Sequence, residues 1–253
     1  MPRTYRKLQH WDNWLSQHTF GQFLLDIESE TITELTKQHF GKHVAIIGSP
    51  HQSILFNAIS LPCHCMMSPI MAKSAITGLI ETSLHELPIS GGSVDLVVIP
   101  HTLEFIDNPR QLLSEACRIV KPEGLIIVIG FNPYSLLGLS HLFLNKKKQQ
   151  IPWNHHRINA YAIKTWLQLA DFHVETHLTK LFIPSMRSSS IYKKLHFLES
   201  ISHFCLPKMG GIYIVMARAK VIPLIPIKLK WKQQLGGLRL PNSMTGHIAR
   251  HQK

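Results

Sequence analysis

Three stretches decide the fold of this chain: Val94-Asp95-Leu96-Val97-Val98-Ile99, then Pro109-Arg110-Gln111-Leu112-Leu113-Ser114-Glu115-Ala116-Cys117-Arg118-Ile119-Val120, then Leu125-Ile126-Ile127-Val128-Ile129. The first and third are short, apolar and rich in β-branched residues. Turn residues precede each of them, Ser90-Gly91-Gly92-Ser93 in one case and Lys121-Pro122-Glu123-Gly124 in the other. Runs of this kind suit strands that are buried on both faces. In the middle stretch Leu112, Leu113, Ala116, Ile119 and Val120 fall on one helical face, and Pro109 suits a first turn, where its missing N–H would have no partner anyway. A strand, a helix and a strand in that order form a βαβ unit, and such units connect right-handedly. The expected architecture is therefore an α/β domain, a doubly wound and mostly parallel sheet with helices on both faces.

Outward from this centre, His43-Val44-Ala45-Ile46-Ile47-Gly48 reads as another buried strand, ended by Ser49-Pro50. Ile212-Tyr213-Ile214-Val215-Met216-Ala217 reads as one more, after Gly210-Gly211. Residues 158–170 have helical spacing, and residues 173–182 read as a strand. Between Trp11 and Phe40 the apolar residues Phe20, Phe23, Leu24, Ile27, Ile32 and Leu35 predict one or two helices, broken at Gly21 and closed by Gly41. Residues 183–209 are rich in Ser, Lys and aromatics and read as an insertion. The expected organisation is a helical extension over residues 1–40, a domain over 41–220, and a basic, mobile tail over 221–253.

A length of 253 residues suits one α/β unit with extensions, and 45% hydrophobic with 17% charged residues is ordinary globular usage. No uninterrupted apolar run is long enough for a membrane span, and the start of the chain lacks the apolar core of a secretory signal, so a cytoplasmic protein is expected. Cys63, Cys65, Cys117 and Cys205 are then reduced thiols. The net charge of +12 favours anionic partners, nucleic acid among them, and after Glu199 no acidic residue follows while Lys228, Lys230, Lys232 and Arg239 do. A solvated tail is the simpler reading of that end.

Leu87-Pro88, the turn at 90–93, the strand from Val94, His101-Thr102-Leu103-Glu104, Asp107-Asn108-Pro109, Leu112-Leu113, Glu115 and Arg118-Ile119-Val120-Lys121-Pro122-Glu123-Gly124-Leu125 together resemble the central block of the methyltransferase type 11 domain, a class I S-adenosylmethionine-dependent methyltransferase family. Gly21, Leu24-Leu25, Glu28 and the closing residues 217–224 are similar to an uncharacterised bacterial branch of it. The resemblance implies a Rossmann-like sheet of seven strands. It also implies S-adenosylmethionine as cofactor, held by Gly48, Ser49, Met66, Ser83, Leu84, Pro100 and His101.

The same resemblance shows where this chain departs. The family's first strand leads through an acidic residue into a glycine-rich turn; here Ile46 stands at the acidic place, and Pro50 and Gln52 stand where the later glycines would be. The carboxylate that accepts from the ribose hydroxyls falls near Met66, whose thioether is a weak acceptor. Losing that carboxylate costs roughly 1.5 to 3 kcal/mol, about ten-fold to a hundred-fold in affinity. Ser83, at the adenine-facing acidic place, can still accept without charge assistance.

His101, following a strand at the sheet's C-terminal edge, is the one candidate for a catalytic base, against a packing role. After the fifth strand of the resemblance, Asn132 and Tyr134 offer an amide and a stacking face to a substrate. Cys63-His64-Cys65 lacks the two-residue gap of a zinc motif and no second pair follows, so no metal is expected. Lys146-Lys147-Lys148 reads most simply as a solvated loop, against contact with an anionic partner, and His155-His156 beside Trp153 and Arg157 as either the lining of a substrate mouth or a chance pair among 17 histidines. Three functions stay open: methyl transfer to an unidentified acceptor, a non-catalytic relative that keeps the fold as a scaffold, and binding of RNA or another anionic partner.

Overall fold

The computed structural model describes residues 3–72, 76–135, 158–180 and 210–221. These residues all fall in one compact unit, Met1–Val221. The expected insertion at 183–209 and the basic tail beyond Val221 lie outside them. Of the acidic residues only Glu199 is outside as well, so the positive excess of the chain belongs to segments that are not described.

A seven-stranded sheet organises the unit: β1 (His43–Ile47), β2 (Cys63–Ser68), β3 (Leu79–Glu81), β4 (Val94–Pro100), β5 (Val120–Phe131), β6 (Phe172–Lys180) and β7 (Ile212–Ala219), in the order β3-β2-β1-β4-β5-β7-β6. β3, β2, β1, β4 and β5 run parallel, and β7 is antiparallel to both β5 and β6. Residues 44–47, 96–99, 125–129 and 212–215 are buried throughout, which is why the central strands read as continuous apolar runs rather than as alternating ones. From β1 the chain crosses to one side, through a 3-10 helix (Pro50–Ala58) to β2. From β4 it crosses to the other side, through α3 (Pro109–Ile119) to β5. Right-handed crossovers in opposite directions put their connections on opposite faces of the sheet. α4 (Ala160–Leu169) leads to β6 and packs with α3.

The predicted turn 121–124 is carried inside β5 as a bulge: Val94 pairs with Val120 and Leu96 with Leu125, and Glu123 takes a φ of 63°. Below it, Asp95 accepts from the Lys42 and His43 amides and pairs with Lys121 at 2.9 Å, tying the starts of β1, β4 and β5. Burial would raise this carboxyl's pKa; the Lys121 ammonium and the two amides outweigh that and hold it well below the usual range.

Two helices precede the sheet, α1 (Arg3–Gln17) and α2 (Thr19–Thr36). The break between them is at His18, not at Gly21 as the sequence suggested. Gly21 lies inside α2, where a Cβ would stand 2.9 Å from the Leu15 Cα and 3.0 Å from its carbonyl oxygen. The glycine thus lets the two helices touch backbone to backbone. Leu8, Trp11, Trp14 and Leu15 of α1 and Leu24, Leu25 and Ile32 of α2 join the same buried cluster as the sheet. Gly21→Ala is expected to destabilise the fold by up to about 2 kcal/mol, because an overpacking cost of roughly 1 to 3 kcal/mol is set against alanine's helix-propensity gain of about 1 kcal/mol. Urea denaturation reads this directly; an unchanged midpoint would mean that the helix pair relaxes without loss. Among the described residues no helix is long and apolar enough to cross a membrane.

Candidate functional site

In an open α/β sheet, ligands sit outside the carboxyl ends of the strands where the crossovers change direction. Here that point lies between β1 and β4, since β2 and β3 lie on one side of the pair and β5 on the other. Gly48 and Ser49 follow β1, Met66 lies in β2 and pairs with Ile46, Ser83 and Leu84 follow β3, and Pro100 and His101 end β4. Asn132 and Tyr134 follow β5. These residues are therefore gathered at one edge of the sheet, but they differ greatly in access. Ser49, Met66 and His101 have no exposed surface, Ser83 is exposed, and Tyr134 is 68% exposed.

The turn after β1 explains Pro50 and Gln52. Pro50 opens the 3-10 helix, a place where its lack of an N–H has no consequence, and Ser49 with Gln52 makes a reciprocal capping box. Gln52 Oε1 accepts from the Ser49 amide at 2.9 Å, and its Nε2 donates to the Pro100 carbonyl at 3.0 Å. Thr102 Oγ1 donates to the Ile47 carbonyl at 2.7 Å. These two side chains stitch the end of β1 to the end of β4. They lie in the space a glycine-rich turn would leave open: a Cβ on Gly48 would stand 2.3 Å from Gln52 Oε1. The next free amide of the helix, that of His51, donates at 2.7 Å to the carboxylate of Asp12 on α1.

α1 and α2 then complete the edge over β4. His101 turns the chain in a left-handed conformation, φ 56°, a strained state for a residue with a side chain. Its Nε2 lies 2.7 Å from Glu28 Oε1 of α2, and its Nδ1 lies 3.9 Å from Glu104 Oε2. Glu104 Oε1 accepts from the Phe131 amide. Burial alone would lower the pKa of His101; the carboxylates of Glu28 and Glu104 outweigh it and push it up to about 9, so the ring is an imidazolium at neutral pH. Burial raises the pKa of Glu104 and raises that of the neighbouring Tyr213 well above its usual range. Trp11 of α1 roofs the group, with ring centroids 5.4 Å from His101, 5.2 Å from Phe105 and 5.8 Å from Phe131. An imidazolium in this setting is not a free base open to solvent.

An open cavity of about 600 Å³ remains beside β3, lined by Thr4, Tyr5, Pro69, Ser83, Leu84 and Ile106 among others. It offers an apolar wall from Leu84 and Ile106, the hydroxyls of Thr82 and Ser83 and the carboxylate of Glu81. At the β4 end, Trp11 Nε1, Glu28 Oε2 and His101 Nδ1 are buried polar atoms without hydrogen-bond partners. The cavity beside β3 is large enough for the adenosine of S-adenosylmethionine, whereas Trp11, Glu28 and His101 are fully buried and form no part of its lining, and the turn after β1, sealed by Gln52, does not present its backbone. Asn132 ties down the loop after β5, donating to the Gly210 carbonyl and accepting from the Tyr134 amide.

Cys63-His64-Cys65 lies in β2, with Cys63 and Cys65 free and His64 stacked on Phe56. Among the described residues no cluster of three or more His, Cys, Asp or Glu could hold a metal. Lys146-Lys147-Lys148, Trp153, His155-His156, Arg157 and Cys205 lie outside the described residues. Sequence reasoning gave no site role to Trp11, Glu28, Gln52 or Glu104. One signal for Glu28 was available: it sits on the apolar face of α2, one turn from both Leu24 and Ile32.

The comparisons with known proteins agree with this geometry. A family model described as a methyltransferase domain matches residues 65–128. The uncharacterised protein YafS of Escherichia coli (strain K12) is 30% identical over 186 residues, 73% of this chain and 71% of that protein. Among solved structures, a SAM-dependent methyltransferase from Thermotoga maritima superposes with a TM-score of 0.60 at 16% identity, over 85% of this chain and all of that one. Another, from Mesorhizobium loti, gives 0.52 at 14% identity, over 77% of this chain and 99% of its own length. The family match spans β4, α3 and most of β5, and the sheet around them is the one these enzymes share: the chain belongs to the class I S-adenosylmethionine-dependent methyltransferases.

Proposed function

We propose that this methyltransferase takes S-adenosylmethionine with its adenosine in the cavity beside β3 and its methionine end toward His101, beneath α1. The observation that carries the reading is the cavity itself, lined by Tyr5, Ser83, Leu84 and Ile106 and set at the carboxyl edge of the sheet beyond β2 and β3. When bound, the cofactor supplies an electrophilic methyl group, and the acceptor is of unidentified class. The chain's own work is positioning: Leu84 and Ile106 give the ring an apolar wall, Ser83 a hydrogen-bonding hydroxyl, and Trp11 excludes water from the end of β4. Asn132 and Tyr134, on the loop after β5, are where the acceptor would approach.

Calorimetric titration with S-adenosylmethionine and S-adenosylhomocysteine tests the reading. Binding of either is expected, and Ser83→Asp should tighten it about ten-fold by adding charge to the acceptor. Unchanged or weaker affinity in the variant would remove Ser83 from the adenine site. A second reading, a scaffold that no longer binds cofactor, is favoured by one observation: Gln52 and Thr102 close the seam between β1 and β4. Absence of binding heat with both ligands would support it.

A further inference from the structure

Of the described residues that line the cavity beside β3, only Glu81, the last of that strand, carries a carboxylate. β2 and β3 run parallel, with Met66 opposite Leu79 and Ser68 opposite Glu81. Side chains alternate along a strand, so these four leave the sheet on one face, and Glu81 stands at the carboxyl end of that row. Met66 and Ser68 have no exposed surface, and Ser68 Oγ accepts from the Ile70 amide at 3.3 Å. Glu81 is exposed. The hydroxyls beside it are engaged by their own loop: Thr82 Oγ1 donates to the Ser83 carbonyl at 3.2 Å, and Ser83 Oγ accepts from the His85 amide at 3.4 Å. Among the described residues no hydrogen bond or ion pair engages the Glu81 carboxylate. A carboxylate has two acceptor oxygens side by side and no donor, so a ligand that meets it must bring donors. Adenosine brings an amine on its ring and two adjacent hydroxyls on its ribose. With the ring against Leu84 and Ile106 and its amine toward Ser83, the ribose pair is left for Glu81.

We infer that Glu81 binds the ribose of the cofactor, its two carboxylate oxygens accepting from the two hydroxyls, and so makes the site select a ribonucleoside over a deoxyribonucleoside. The inference rests on the cofactor reading above and adds to it the residue that orients the sugar. Two neighbouring hydroxyls match the spacing of one carboxylate as a single donor does not, and hydrogen bonds to a charged acceptor are the strong ones. Losing one corresponds to about ten-fold to a hundred-fold in affinity, and exposure of Glu81 to solvent puts the expected effect at the lower end of that range.

Calorimetry on the full chain tests this with three ligands: S-adenosylhomocysteine, its analogue with deoxyribose in place of ribose, and S-inosylhomocysteine, in which a carbonyl replaces the ring amine. The parent should bind the deoxyribose analogue about ten-fold more weakly than S-adenosylhomocysteine. Glu81→Ala should weaken S-adenosylhomocysteine about ten-fold and distinguish the two sugars by no more than about three-fold, with its thermal midpoint unchanged. A role in shaping the cavity would instead weaken all three ligands alike and keep the parent's preference for ribose, and that result overturns the inference. So does a variant whose loss disappears only with S-inosylhomocysteine, since the carboxylate would then hold the ring amine. The parent decides alone should the variant not fold: equal affinity for the two sugars overturns the inference and leaves the cofactor reading standing. If S-adenosylhomocysteine does not bind the parent, the cofactor reading fails and takes the inference with it.

Discussion

Glu28→Ala is expected to destabilise the fold by about 3 to 5 kcal/mol, the cost of removing one partner of a buried ion pair. The variant leaves His101 with no exposure and without the carboxylate 2.7 Å from its Nε2. Glu28→Gln, which keeps an acceptor oxygen in place, should lose only about 1 to 2 kcal/mol. The same pair dictates a pH dependence. The folded-state pKa of His101 is raised, from 6.5 to about 9, so the stability it contributes is fully present below pH 6.5 and is lost as pH rises through 9. Glu104, raised as well, acts in the same direction from the carboxylate range upward. The parent protein should therefore lose on the order of 3 kcal/mol between those limits, and Glu28→Ala should show a much flatter profile. Denaturant midpoints measured across this range provide the check. Parallel profiles for parent and variant would show that the pair does not control the titration.

The second large effect is expected at Trp11. Its ring is fully buried, stacked on Trp14 at 5.2 Å and packed against His101, Phe105 and Phe131. Trp11→Ala removes the largest fully buried side chain at the edge where α1 meets the sheet, and a loss of about 3 to 5 kcal/mol follows from the cavity it leaves. The loss should be uneven. Hydrogen exchange should find the amides of α1 much less protected, while those of β4 and β5, paired on both sides, keep most of theirs. Uniform loss across the sheet would mean that α1 and the sheet open as one cooperative unit.

The central strands were legible in the sequence because β1, β4, β5 and β7 are buried on both faces, and burial of that kind demands continuous apolar runs such as Ile126-Ile127-Val128. The parallel course of β4 and β5 followed from the helix between them, but the antiparallel course of β7 was not legible, because a strand buried on both faces has the same pattern in either direction. β3 went unseen for a different reason: Leu79, Ile80 and Glu81 are three residues at a sheet edge, half-buried or exposed, with no run to detect. Gly21 was read by its poor helix propensity, yet its place is set by contact with Leu15. The edge positions Gly48, Pro100 and His101 were readable because each lies at or just after the end of a visible strand, whereas Ser83, which follows β3, came from the family resemblance alone. What fills and covers that edge was not. Gln52 reaches Pro100 across 48 residues and Glu28 reaches His101 across 73, and such pairings leave no trace in local spacing.

The place of β7 also bears on how the chain is made. β7 is the last of the seven strands to leave the ribosome, yet in the sheet it lies between β5 and β6. During synthesis, β6 emerges before its partner strand, and the outer edge of β5 has no native neighbour until residues 212–219 are free. Unpaired edges of this kind recruit other chains, so the nascent protein carries an adhesive edge from the emergence of β5 until that of β7. A chain stopped short of Ile212 would lack the strand that joins β5 to β6, and so would persist with both of those edges open.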